Sequence, residues 1–97
     1  MSMGPTTVCV IGAGSWGTAL ALQLVRNGHN INLWGHEPDH IERLLSEREN
    51  KEFLPGIQLP DAIRPMASLQ QATQGIRHIL VVIPSKAYRE FLKRLKP

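Results

Sequence analysis

The run Val8-Cys9-Val10-Ile11-Gly12-Ala13-Gly14-Ser15-Trp16-Gly17-Thr18-Ala19-Leu20 passes from an apolar, β-branched segment through three glycines into a helix-forming segment. Gly12, Gly14 and Gly17 stand in the order Gly-x-Gly-x-x-Gly. That spacing alone is a weak signal. Placed after a predicted strand and before a predicted helix, it is the fingerprint of a dinucleotide-binding βαβ unit. Gly12 lets the chain turn sharply out of the strand. Gly14, lacking a Cβ, lets backbone approach a pyrophosphate, and Gly17 lets helix and strand pack closely. The helix that begins near Ser15 points its unpaired N–H groups and the positive end of its dipole at the phosphates.

Outward from this stretch, the bulk numbers set limits. The 97 residues, 42% hydrophobic and 20% charged, imply one soluble globular domain. Met1 to Pro5 reads as a disordered lead, and residues 6–97 as the domain. The single Cys9 excludes an internal disulfide, fits a reducing compartment, and reads as a buried, inert thiol. A net charge of +3, from 11 basic and 8 acidic residues, is too small for a nucleic-acid footprint. No apolar run approaches the roughly 20 residues that a membrane helix needs. The uncharged stretch before Arg26 lacks the basic n-region of a signal peptide.

Thr6 to Ile11 is predicted as a strand, apolar on both faces like a central parallel strand. Ser15 to Asn27 is predicted as a largely buried helix, with Trp16, Ala19, Leu20, Leu22, Leu24 and Val25 covering most of its surface, closed by Asn27-Gly28. Ile31 to Trp34 is a second strand. Pro38 opens a helix through about Arg48, with Ile41, Leu44 and Leu45 as a narrow apolar stripe and Asp39 and Arg43 as an i,i+4 pair outside. Asn50 to Pro65, with Pro55, Gly56 and Pro60, is predicted as a loop. A third strand near Ile63 to Ala67 is at best an edge because of Pro65. Ser68-Leu69-Gln70-Gln71 matches a capping box for a short helix ending at Gly75. His78 to Ile83 is a fourth strand, and Ser85 caps a last helix carrying Ala87, Tyr88, Phe91, Leu92 and Leu95 on one face.

The alternation β-α-β-α-(β)-α-β-α implies an α/β fold, a Rossmann-type doubly wound parallel sheet with right-handed crossovers. The expected strand order is 3-2-1-4, with the ligand crevice between strands 1 and 4, lined by Gly12 to Gly14 and by Pro84-Ser85. The length holds little more than the first half of such a fold, so the chain is expected to be truncated, with the substrate-binding part absent.

The residue after the second strand chooses between cofactors: a carboxylate there holds the ribose 2′-hydroxyl of NAD, and a donor tolerates the 2′-phosphate of NADP. Leu33-Trp34-Gly35-His36-Glu37 puts Gly35 or His36 at that position. His36 can donate to a ribose or to a 2′-phosphate, and Glu37 belongs to the start of the next helix, so both NADP and NAD stay open. The histidines lack metal-ligand spacing, and no metal site is expected. Ser15 and Ser85 have no neighbouring base and read as helix caps, with Ser15 also near the phosphates. Lys86, Arg89, Lys93 and Lys96 read as a solvated helix face.

Gly12-Ala13-Gly14-Ser15-Trp16-Gly17-Thr18-Ala19-Leu20-Ala21, Leu33-Trp34-Gly35-His36, Asn50 with Phe53-Leu54-Pro55-Gly56, and Val81-Val82-Ile83-Pro84-Ser85 together resemble the bacterial NAD(P)-dependent glycerol-3-phosphate dehydrogenases, from about Thr6 to Pro97. The tryptophan inside the glycine turn and the Leu-Pro-Gly loop are not general dinucleotide features. The resemblance implies a cytoplasmic enzyme, homodimeric at full length, that reduces dihydroxyacetone phosphate to sn-glycerol 3-phosphate with NADP or NAD as the cofactor pair, for phospholipid synthesis. It implies cofactor contacts at Ser15, Trp16 and His36, beside those expected of Gly12, Gly14, Gly17, Pro84 and Ser85. The two lysines that serve the family's chemistry have no counterpart here, so no catalytic residue is expected in this chain. Two other readings stay open: the cofactor domain of a 6-phosphogluconate- or ketopantoate-type dehydrogenase, against which the Asn50 to Gly56 loop argues, and a non-catalytic dinucleotide-sensing module, which would need a regulatory part.

Overall fold

A computed structural model describes residues 6–82. The chain runs β1 (Thr7–Ile11), α1 (Ser15–Arg26), β2 (Asn30–Trp34), α2 (Pro38–Glu47), β3 (Glu49–Asn50), β4 (Leu54–Gln58), β5 (Ile63–Met66), α3 (Leu69–Thr73) and β6 (His78–Val81). Four strands form a parallel sheet in the order β5-β2-β1-β6. This is the expected 3-2-1-4 order, with its reversal between β1 and β6. The expected lead, Ile83, the Pro84-Ser85 pair and the last helix lie outside the described residues.

Side chains alternate across the sheet, so each row of paired residues belongs to one face. Val8, Ile31 and Ile63 stand abreast, as do Cys9, Asn32 and Arg64. Val8, Val10, Ile31, Leu33 and Ile63 pack with Ala21 of α1 and with Ile41 and Leu44 of α2. On the other face Cys9, Ile11 and Trp34 pack with Ala72 of α3. Both faces of β1 and β2 are therefore covered, which explains why β1 reads as an apolar run without polar alternation. Asn32 is the buried exception, and its Nδ2 donates to the Ala72 carbonyl at 3.1 Å, tying α3 to the sheet.

Helix ends follow local chemistry. α1 closes through Gly28 at φ +90°, with Gly28 N–H donating to Val25 O and His29 N–H to Leu24 O, the paired bonds of a Schellman motif. Ser68 caps α3 by accepting from Gln71 N–H. Pro65 lies in β5, which among the described residues pairs only with β2, so its missing N–H costs no ladder bond there.

Four expectations are corrected. Residues 50–65 are not a plain loop, because β3 and β4 form an antiparallel hairpin with an irregular register, and Gly56 turns at φ +86°. The fully buried side of α1 is made by Gly17, Thr18 and Ala21, with the expected Leu22, Leu24 and Val25 packed part-buried against the core, while Trp16 is 81% exposed; small residues bring this helix close to the sheet where large ones would hold it off. Leu45 is exposed, and His40 joins Ile41 and Leu44 in the buried face of α2. Arg43 pairs with Glu52 across to the hairpin rather than with Asp39.

Candidate functional site

The site is built at the carboxyl ends of β1 and β2. Gly12 leaves β1 at φ +122°, a conformation that L side chains rarely adopt, and its N–H donates to Trp34 O at 2.8 Å. The chain then doubles into α1 so tightly that a Cβ on Gly17 would lie 1.7 Å from the Gly12 carbonyl oxygen. Gly12 and Gly17 are thus two halves of one steric requirement. Gly14 is different, since a Cβ there would meet nothing within 4 Å. The open space over Gly14 is what a bound phosphate group needs.

Gly14 is also the N-cap of α1, and no side chain caps that end. This corrects the expected cap at Ser15, whose hydroxyl donates instead to Phe53 O at 2.8 Å. The first turn holds no acidic residue. A 12-residue helix therefore presents its N-terminal N–H groups and dipole with no carboxylate competing for them. Trp16 projects outward beside this end.

The end of β2 abuts the same turn. A Cβ on Gly35 would lie 3.1 Å from Ala13 Cβ and 2.9 Å from Ile41 Cδ1, so Gly35 is what lets β2 and α2 close on the turn. His36 follows it, 71% exposed along its side chain, with Nε2 3.5 Å from the Glu37 carboxylate. Glu37 is the N-cap of α2, as its sequence position suggests. The structure thus brings Gly12, Gly14, Ser15, Trp16 and Gly17 into one turn, with His36 on the neighbouring strand end. Pro84 and Ser85 lie outside the described residues. Among the described residues no group of three or more His, Cys, Asp or Glu could hold a metal ion, and no helix is long and apolar enough to cross a membrane.

Sequence reasoning gave no role to the residue that ties these parts together. Asn50, in the β3–β4 hairpin, is fully buried. Its Nδ2 donates to Ala13 O at 2.9 Å and to Thr18 Oγ1 at 2.8 Å. Its Oδ1 accepts from His40 Nε2 at 3.0 Å and from Phe53 N–H at 3.4 Å. The His40 ring in turn meets Phe53 edge-on, with centroids 5.4 Å apart. Four elements converge on one amide: the glycine turn, α1, α2 and the hairpin.

Cys9 lies on the opposite face of β1 from α1. Burial pushes its thiol up from 9.0 to about 11, so it is held protonated and unreactive.

Comparison with known proteins agrees with this geometry. Residues 7–97 match the family model of the NAD-dependent glycerol-3-phosphate dehydrogenase N-terminus. A glycerol-3-phosphate dehydrogenase [NAD(P)+] of Vibrio cholerae is 52% identical over 93 residues, 96% of this chain and 27% of that protein. One from Bacillus cytotoxicus is 47% identical over 91 residues, 94% of this chain and again 27% of its own length. Among solved structures, glycerol-3-phosphate dehydrogenase from Coxiella burnetii superposes with a TM-score of 0.91 at 39% identity, over 96% of this chain and 29% of that one. The yeast enzyme from Saccharomyces cerevisiae gives 0.83 at 27% identity, over 95% of this chain and 30% of its own.

Proposed function

This chain belongs to the NAD-dependent glycerol-3-phosphate dehydrogenase N-terminal family, and on that premise we propose that it is the cofactor-binding part of an sn-glycerol-3-phosphate dehydrogenase. The whole enzyme reduces dihydroxyacetone phosphate to sn-glycerol 3-phosphate. It works in the cytoplasm as a homodimer and supplies phospholipid synthesis. The bound nicotinamide supplies the hydride. The chain's own residues bind and orient. The N–H groups at the start of α1 hold the pyrophosphate, with Gly14 leaving room for it and Gly12 and Gly17 keeping the turn tight. Ser15 and Trp16 flank the phosphates, and His36 faces the adenosine ribose and tolerates a 2′-phosphate. Pro84 and Ser85 line the far side of the crevice on sequence grounds.

The observation that carries this reading is the uncapped N-terminus of α1 beside the open space over Gly14. The Asn50 to Gly56 segment, which carries part of the resemblance to this family, packs against the turn through the Ser15–Phe53 and Asn50–Ala13 bonds and so supports the same reading. Calorimetric titration of the chain with NADPH and NADH tests the proposal. Binding of either is expected, with no turnover of dihydroxyacetone phosphate by these 97 residues alone. Absence of binding removes the proposed site, and measurable turnover would show that the catalytic groups lie within the chain.

A further inference from the structure

We propose that Asn50 is a positioning residue for the cofactor turn: it locks the Ala13–Gly14 peptide so that the Gly14 N–H faces the pyrophosphate. The inference deepens the binding site proposed above and rests on it. Its physical basis is the rigidity of a peptide unit. Carbonyl and N–H of a trans peptide point in opposite directions, and among the described residues no peptide is cis. The Ala13 carbonyl is drawn inward by Asn50 Nδ2 at 2.9 Å. Asn50 is wholly buried, so the Gly14 N–H on the other side of that plane is turned away from the interior.

The amide can do this because its orientation is unique. Nδ2 has two hydrogens, used by Ala13 O and Thr18 Oγ1. Oδ1 has two lone pairs, used by His40 Nε2 and Phe53 N–H. Flipping it would set an NH2 group against the Phe53 N–H and an oxygen against the Ala13 carbonyl, leaving buried polar groups unpaired. The same geometry requires His40 to carry its proton on Nε2. The plane of this peptide turns about Ala13 ψ and Gly14 φ, and Gly14 has no side chain to restrain its half of that rotation. Asn50 supplies from the hairpin the restraint that the turn lacks.

The test separates positioning from mere packing. Asn50→Ala removes the hold on Ala13, whereas Thr18→Val removes one bond of the same amide and leaves the Ala13 bond in place. Both are expected to lower the melting temperature. Only Asn50→Ala is expected to weaken NADPH and NADH, by about tenfold or more, the worth of one charge-assisted hydrogen bond. Thr18→Val should stay within about twofold of the parent chain. Equal losses in the two variants would overturn the proposal. If Asn50→Ala does not fold, or the parent chain binds no cofactor, NMR of the ligand-free parent chain tests Asn50 itself. Slow solvent exchange of the Asn50 side-chain amide and a coupling across its hydrogen bond to the Ala13 carbonyl are expected. Fast exchange without coupling overturns the locked peptide, whereas a locked peptide in a chain that binds no cofactor refutes the site and not the lock.

Discussion

Replacing Gly14 and Gly17 by alanine, one at a time, should damage two different properties. Gly14 has φ −84° and ψ −163°, which alanine adopts without strain, and its added methyl meets nothing within 4 Å. Gly14→Ala restricts the unfolded chain by about 0.5 kcal/mol, while alanine is a poorer N-cap than glycine by a similar amount, so the melting temperature should stay within about 4 °C of the parent. Gly17→Ala puts a methyl 1.7 Å from the Gly12 carbonyl oxygen and 2.9 Å from its carbon. Both atoms are backbone, so no rotamer relieves the clash, and turn and helix must part by about an ångström. Overpacking of this kind costs about 3 kcal/mol, against which the better helix propensity of alanine returns about 1 kcal/mol. A net loss of about 2 kcal/mol lowers the melting temperature by about 8 to 16 °C. Binding should reverse the order of interest. The Gly14→Ala methyl occupies the space proposed for the pyrophosphate, so NADPH and NADH should weaken by about ten- to a hundredfold in a chain that melts normally. Thermal melts by circular dichroism and calorimetric titration of both variants provide the check. A Gly14→Ala chain that binds like the parent would refute the placement of the phosphates, and a Gly17→Ala chain that melts like the parent would refute the steric account of the turn.

Two further outcomes follow from the site and the core. His36→Ala should weaken NADPH more than NADH in the same titration, and equal losses would remove His36 from contact with a 2′-phosphate. Cys9, raised from 9.0 to about 11 by burial, keeps in the folded state a proton that the unfolded chain releases. Its contribution is therefore complete below pH 9 and is lost as pH rises toward 11, by about 2 kcal/mol at pH 10.5. Urea midpoints at pH 8 and pH 10.5 should show that excess fall in the parent and not in Cys9→Ala; parallel falls would show that Cys9 does not couple folding to pH.

What could be seen in the sequence was what neighbours along the chain dictate. Gly12 and Gly17 announce a tight strand-to-helix turn, Ser68 a cap, Gly28 a left-handed closure, and Pro65 an edge, because each is decided within a few residues. Partners far apart in sequence were hidden. Ser15 looked like a cap because its type suits one, but its hydroxyl is taken by Phe53, 38 residues on. Arg43 finds Glu52 rather than the helical neighbour that its spacing offered. The hairpin was masked by Pro55 and Gly56, which argue against a strand, although a two-stranded ribbon with an irregular register accommodates both. Trp16 misled for a related reason. Apolar type predicts burial, but where α1 approaches the sheet most closely Gly17, Thr18 and Ala21 fill the contact, Leu22, Leu24 and Val25 pack part-buried beside it, and Trp16 is left outside.

These two classes of residue explain why the glycine motif alone says little and its combination with the Asn50 segment says more. The glycines supply permission: a positive φ at Gly12, an absent Cβ at Gly14, a close approach at Gly17. Permission does not choose a direction, since a peptide leading into a glycine can present either its carbonyl or its N–H to a ligand. An anion needs the N–H. Asn50 makes that choice from 37 residues away by occupying the Ala13 carbonyl, and the same side chain seats Thr18, His40 and Phe53. Any residue put in its place must offer two donors on one side and two acceptors on the other at full burial, which among the side chains only a carboxamide of this length provides. An Asn50→Asp chain keeps the acceptors and loses the donors. It should therefore release the Ala13 peptide while still engaging His40, and bind cofactor no better than Asn50→Ala despite being nearly isosteric with the parent.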